Sequence, residues 1–85
     1  NIIMSCILPG VVKTEKGHWS KVSKSDPARV KKYLKERCPL GRFGTSEEIA
    51  NAVLYQCSDL ASFSHGSIIS VDGGQSKNYM SFNYL

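Results

Sequence analysis

Cysteines are scarce in this chain and never paired in sequence. Cys6, Cys38 and Cys57 are scattered, with no C-x-x-C spacing. An odd count without a framework points to reduced thiols, as in the cytoplasm, rather than to disulfides. Zinc would need clustered ligands, and His18 and His65 stand apart from the cysteines, so no metal site is expected. Long hydrophobic runs are missing too. Ile2 to Val12 is apolar but short and broken by Pro9 and Gly10, which excludes a membrane span or a secretory core in that stretch. The Gly-x-Gly-x-x-Gly order of a dinucleotide loop does not occur, and the glycines at Gly41 and Gly44 follow no predicted strand, so a phosphate loop there is not expected.

Acidic residues are also few where basic ones gather. The net charge is +4, with ten basic and three acidic residues between Lys13 and Arg42, against one basic and four acidic elsewhere. The lysines lie near an aromatic residue, but no nucleic-acid reading motif accompanies them, and solvated helix faces are commonly Lys-rich. No nucleic-acid partner is expected. At 85 residues the chain amounts to one small domain at most. Its two predicted strands need parallel neighbours, so a segment of a larger fold is the expectation.

The most readable stretch runs from Pro39 to Gly74. Thr45 followed three residues later by Glu48 is a capping box, and Glu47 and Glu48 place negative charge on the positive end of a helix dipole. The helix is expected over 46–58. Ile49, Ala52, Val53, Cys57 and Leu60, widened by Ala50, Leu54 and Ala61, form more apolar surface than one face needs, which predicts two partners. Ser67 to Val71 reads as a short buried strand, ending at Asp72-Gly73-Gly74, with Asp72 fixing the turn.

Upstream, Ile2 to Leu8 has the β-branched, apolar profile of a strand buried on both faces of a parallel sheet. Pro9, lacking an amide, is expected to stop it. Gly10 permits a turn and a close approach at the strand's carboxyl end, where open α/β sheets bind ligands. By themselves the two residues are equally a plain strand-ending turn. Thr14 to Asp26 is polar and reads as loop or short helical turns. Ser25-Asp26-Pro27 is a good helix start; Val30, Tyr33 and Leu34 form that helix's apolar stripe, and Pro39 ends it. In the connector after it, Arg42 is expected to bond loop carbonyls or to pack at a subunit contact, and Phe43 to fill the core. Tyr79, Phe82 and Tyr84 suggest a tail docked on a neighbour.

PLGRFGTSEEIANAV, SDLAS and SVDGG, with ILPGVVKT upstream, resemble the C-terminal third of the short-chain dehydrogenase/reductase family, notably its 3-oxoacyl-carrier-protein-reductase-like members. The resemblance covers Ile2 to about Ser76. It implies an α/β fold: the C-terminal segment of a Rossmann-type doubly wound parallel sheet, built as strand, lid helices, long helix and strand. Residues 1–76 would form that segment, with a substrate lid at about 14–38 and a tail at 77–85.

The resemblance also implies roles. The cofactor would be NAD(P), with Pro9 and Gly10 shaping the approach to the nicotinamide and the Val12 main chain pairing with its carboxamide. The Thr14 hydroxyl would bond the carboxamide or the pyrophosphate. His18 and Trp19 would wall the substrate lid; for Trp19, anchoring the lid on the body is an equal reading. Ser5 and Leu8 depart from the family's usual Asn and small residue. Tyr33 and Arg37 have the spacing of the family's Tyr-x-x-x-Lys pair, but Arg is the wrong residue, so no catalytic group is assigned. This chain alone is therefore expected to be inactive. The substrate class is a small carbonyl or alcohol, anionic if Lys13, Lys16, Lys21 and Lys24 border the site's mouth. The helix over 46–58 and the last strand would build a dimer or tetramer. A non-catalytic interaction module is the alternative.

Overall fold

The computed structural model describes residues 2–77. The tail aromatics Tyr79, Phe82 and Tyr84 lie outside them. Two short strands, β1 (Cys6–Pro9) and β2 (Ile68–Val71), form a parallel pair in which Cys6 faces Ile68 and Pro9 faces Val71. Between them the chain runs through α1 (His18–Ser25), α2 (Pro27–Arg37), α3 (Ser46–Cys57) and a 3-10 turn at Asp59–Ala61. Parallel neighbours require a crossover, and α3 packs against both strands to supply it. Strand, helix and strand therefore follow the order that the apolar runs predicted.

The bounds and burial of the strands differ from expectation. β1 starts at Cys6 rather than Ile2, because the ladder begins where the Cys6 amide donates to the Ser67 carbonyl. Ile2 and Met4 are 90% and 79% exposed. Pro9 does not stop the pairing. In a parallel ladder alternate residues of a strand bond to the neighbour, and here the amides of Cys6 and Gly10 do so. The nitrogen of Pro9 faces the other edge, so no ladder bond is lost. Neither strand is buried on both faces: Leu8 is 49% and Ile68 69% exposed, while α3 covers part of the pair.

The helices follow their local signals closely. Asp26 caps α2 by accepting from the Arg29 amide, with Pro27 in the first turn, and the helix gives way at Cys38 just before Pro39. In α3 both halves of the capping box form: the Glu48 amide donates to Thr45 Oγ1 and the Thr45 amide donates to Glu48 Oε1. Ser58, expected inside α3, instead closes it and opens the 3-10 turn, its hydroxyl accepting from the Leu60 amide. Ile49, Ala52 and Gln56 are half-buried, whereas Leu54 and Leu60 stay exposed. The polar stretch expected as loop or helical turns holds an eight-residue helix, α1. Trp19 and Val22 are too few to make a readable apolar period, yet Val22 is buried where α1 packs on α2, and Val30 is its buried counterpart.

Candidate functional site

Ligands of open α/β sheets bind beyond the carboxyl ends of the strands. Here β2 ends on a glycine turn, whereas β1, expected to turn at Pro9-Gly10, continues without a turn or bend into a bridge at Val12, because the Gly10 amide prolongs the ladder. After β1 the chain passes through Gly10, whose amide donates to the Val71 carbonyl at 3.0 Å. Gly10 lies directly on Asp72: a Cβ there would meet Asp72 Cβ at 2.6 Å and Cα at 2.7 Å. The close approach expected of Gly10 is thus made to the end of the neighbouring strand.

Asp72 organises the turn after β2, as its position suggested. Its Oδ1 accepts from the Gly74 amide at 3.0 Å and its Oδ2 from the Ser76 amide at 3.1 Å. Bonds from Ser76, with a further one from the Gly74 amide, hold the Asp72 carboxyl below its usual range. Gly73 and Gly74 have φ of 61° and 88°, which suits glycine and little else.

Val12 lies farther along, bridged in parallel to Gly44. The Gly44 amide donates to the Val11 carbonyl at 2.9 Å, and the Lys13 amide donates to the Gly44 carbonyl at 3.1 Å. Since the flanking residues make these bonds, the amide and carbonyl of Val12 point to the opposite edge. Among the described residues neither is hydrogen-bonded. The result is a main-chain donor and acceptor side by side at the sheet's carboxyl end. Thr14 is exposed, and its Oγ1 occupies the space where a Cβ on Gly17 would stand.

His18 and Trp19 begin α1. His18 is exposed and meets Trp19 edge-on, with centroids 5.2 Å apart. Trp19 is half-buried between Tyr33 at 4.6 Å and Phe43 at 5.3 Å. It joins α1 to α2 and to the connector, the geometry of an anchor. Phe43 takes part in this cluster but is only half-buried. Lys13, Lys16, Lys21 and Lys24 are all exposed.

Two features had no signal in the sequence. Arg42 does bond a loop carbonyl, that of Phe43, but its main partner is Glu48, gripped by two nitrogens at 2.8 and 3.0 Å. Arg42, followed by the Thr45 amide, brings the Glu48 pKa down to about 2. Tyr33, set aside as a false match to a catalytic motif, accepts a hydrogen bond from Gln75 Nε2 at 3.0 Å. A hollow of about 1020 Å³ lies at the other end of β1 beside Met4, Val53 and Cys57. It is remote from the strands' carboxyl ends.

Parallel strands joined through a covering helix, with Pro9-Gly10 and a glycine pair at their carboxyl ends, define an α/β protein of the Rossmann class. Residues 1–76 match the family model described as Enoyl-(Acyl carrier protein) reductase. The chain belongs to the short-chain dehydrogenase/reductase family. It is 39% identical over 74 residues to the 3-oxoacyl-[acyl-carrier-protein] reductase of Aquifex aeolicus, covering 87% of this chain and 27% of that protein. An Agrobacterium tumefaciens protein assigned as a 2-deoxy-D-gluconate 3-dehydrogenase, solved with bound NADP, is 38% identical with a TM-score of 0.69, over 86% of this chain and 28% of that one. A 4-hydroxyisoleucine dehydrogenase mutant complexed with NADH and succinate is 32% identical with a TM-score of 0.75, over 91% of this chain and 30% of that one. The chain thus spans between a quarter and a third of the length of these relatives.

Proposed function

We propose that this chain supplies the nicotinamide-side wall, the substrate lid and an assembly surface of an NAD(P)-dependent oxidoreductase acting on a small carbonyl or alcohol. The observation that carries the reading is that the amide and carbonyl of Val12, just beyond Pro9-Gly10, have no hydrogen-bond partner among the described residues. A carboxamide presents an NH2 that donates beside a carbonyl that accepts, the complement of that pair. Thr14, with its hydroxyl exposed nearby in sequence, would add a bond to the carboxamide or pyrophosphate. The nicotinamide, when bound, supplies hydride chemistry. The residues here bind and orient it, and none of them is assigned a catalytic role. NADP and NADH accompany two of the solved relatives, which supports NAD(P) without choosing between the forms.

Residues 14–38 would form the lid, with His18 on its exposed side and Trp19 holding it to Phe43. Exposed Lys13, Lys16, Lys21 and Lys24 would favour an anionic substrate if they line the mouth. Exposed Leu54 and Ile68, on α3 and β2, support a two-fold interface between copies of the chain. The three free thiols suit a reducing compartment such as the cytoplasm.

The test is NADPH and NADH oxidation by the full-length protein, with carbonyl substrates that differ in charge. The reading predicts turnover with one cofactor at least. It further predicts that changing the four lysines to glutamine lowers kcat/KM for an anionic substrate, less so at high salt. No turnover and no cofactor binding would leave a non-catalytic module in its place.

A further inference from the structure

Two of the attachments that hold α2 to the body of the molecule differ in kind. One is built into the backbone just past the helix: the Leu40 amide donates to the Gly73 carbonyl at 3.2 Å, and Pro39 packs on Gly74. The other is a single side-chain bond nearer the middle of the helix, from Gln75 Nε2 to the Tyr33 hydroxyl. Farther up, the Tyr33 ring also reaches the connector through Trp19 and Phe43, but those ring contacts are non-directional, so breaking the one directional bond there lets the helix shift. The ring of Tyr33 packs at a tilt on Trp19, so α1 would move with it.

Gln75 is itself held in place. Its amide donates to the Asp72 carbonyl at 3.0 Å, while the Asp72 carboxylate takes the amides of Gly74 and Ser76 on either side. The same Asp72 packs on Gly10. One short turn therefore touches both the Gly10 segment and the α1–α2 pair.

We infer that Tyr33 and Gln75 form a latch that sets the position of the α1–α2 pair relative to the Gly10–Thr14 segment. They are positioning residues: neither is placed against a reacting atom. The inference rests on the reading of α1–α2 as a lid only for its effect on turnover. The latch itself stands on the geometry. Closure should stay within reach of thermal opening, since one half-buried neutral hydrogen bond shifts such an equilibrium by about two- to tenfold. A stronger tie would hinder opening for ligand entry and release.

Hydrogen–deuterium exchange of the full-length protein, resolved over residues 18–37 and recorded without cofactor, tests the latch directly. Tyr33→Phe keeps the ring on Trp19 and removes only the hydroxyl; Gln75→Leu removes the other partner. Each should speed exchange in α1 by about two- to tenfold while leaving α3 unchanged. The double variant should be no faster than either single one, because the two residues share one bond. Gln75→Glu should restore slow exchange by accepting from the Tyr33 hydroxyl, but not in the Tyr33→Phe background. With a substrate in hand, KM should rise more than kcat falls. Unchanged exchange in both single variants, or additive effects in the double one, overturns the latch. Loss of exchange control without any NAD(P) binding would instead preserve the latch and refute the oxidoreductase reading.

Discussion

Gly10 and Asp72 are packed backbone to backbone at the carboxyl end of the strand pair, with no room for a methyl group between them. The contact makes the Gly10 segment after β1 and the turn after β2 a single unit. The Gly10 amide completes it by extending the ladder one bond beyond Pro9.

Gly10→Ala should therefore destabilise the full-length protein by about 1–3 kcal/mol, the usual cost of forcing an extra carbon into a closed contact. The neighbour it meets is largely main chain, which cannot rotate away. Denaturant unfolding reads the effect, and an unchanged midpoint would mean the two segments separate freely.

Gly73 and Gly41 both have positive φ, 61° and 73°, but different surroundings. A Cβ on Gly73 meets Cys38 Sγ at 3.1 Å, whereas one on Gly41 meets nothing within 4 Å. Gly41→Ala should cost only the left-handed strain, about 1–2 kcal/mol. Gly73→Ala should cost more, since it adds crowding to the same strain. Equal losses in thermal unfolding would show that Cys38 yields without penalty.

The Glu48 carboxylate has a folded-state pKa lowered from 4.5 to about 2, chiefly by Arg42 and then by the Thr45 amide. A depressed pKa contributes stability above the unfolded value, and that contribution is lost as the pH falls through the folded one. The stability gap between the native protein and Glu48→Gln should thus be widest above pH 4.5 and close toward pH 2. The pair is exposed, so the gap should also shrink with salt. Glutamine keeps the capping bond, so a gap independent of pH would contradict the contribution assigned to the Arg42–Glu48 pair.

How far the sequence foretold these features depended on how local their causes were. Thr45 and Glu48 stand three apart, so their reciprocal cap was visible, as was the Asp26-Pro27 start of α2. The apolar runs around Ile7 and Ile69 announced two parallel strands. They did not announce where pairing begins, because residues 2–5 are as apolar as β1 itself but have no partner strand among the described residues. Pro9 misled in the opposite direction: whether a missing amide matters depends on which edge it faces, and that is a property of register. α1 was hard to recognise with only Trp19 and Val22 to mark its buried side. The Tyr33–Gln75 bond joins residues 42 positions apart and could not have been read from spacing at all.

Leu54→Asp should lower the assembly state of the full-length protein. Leu54 is 68% exposed on α3, and the proposed interface needs it covered. Burying an unpaired carboxylate against a partner opposes association strongly. Sedimentation reads the mass, and an unchanged oligomer would remove α3 from the interface.

Equilibrium titration of the full-length protein with NADPH and NADH, in the Val12→Pro and Val12→Ala variants, bears most directly on the central claim. Alanine keeps the main-chain amide and carbonyl that face away from Gly44, while proline deletes the amide and leaves the flanking bonds to Gly44 available. Val12→Ala should bind the cofactor nearly as the native protein does, and Val12→Pro should bind about two- to tenfold more weakly for one lost hydrogen bond. Equal affinity in all three proteins would contradict the placing of the nicotinamide at this edge of the sheet.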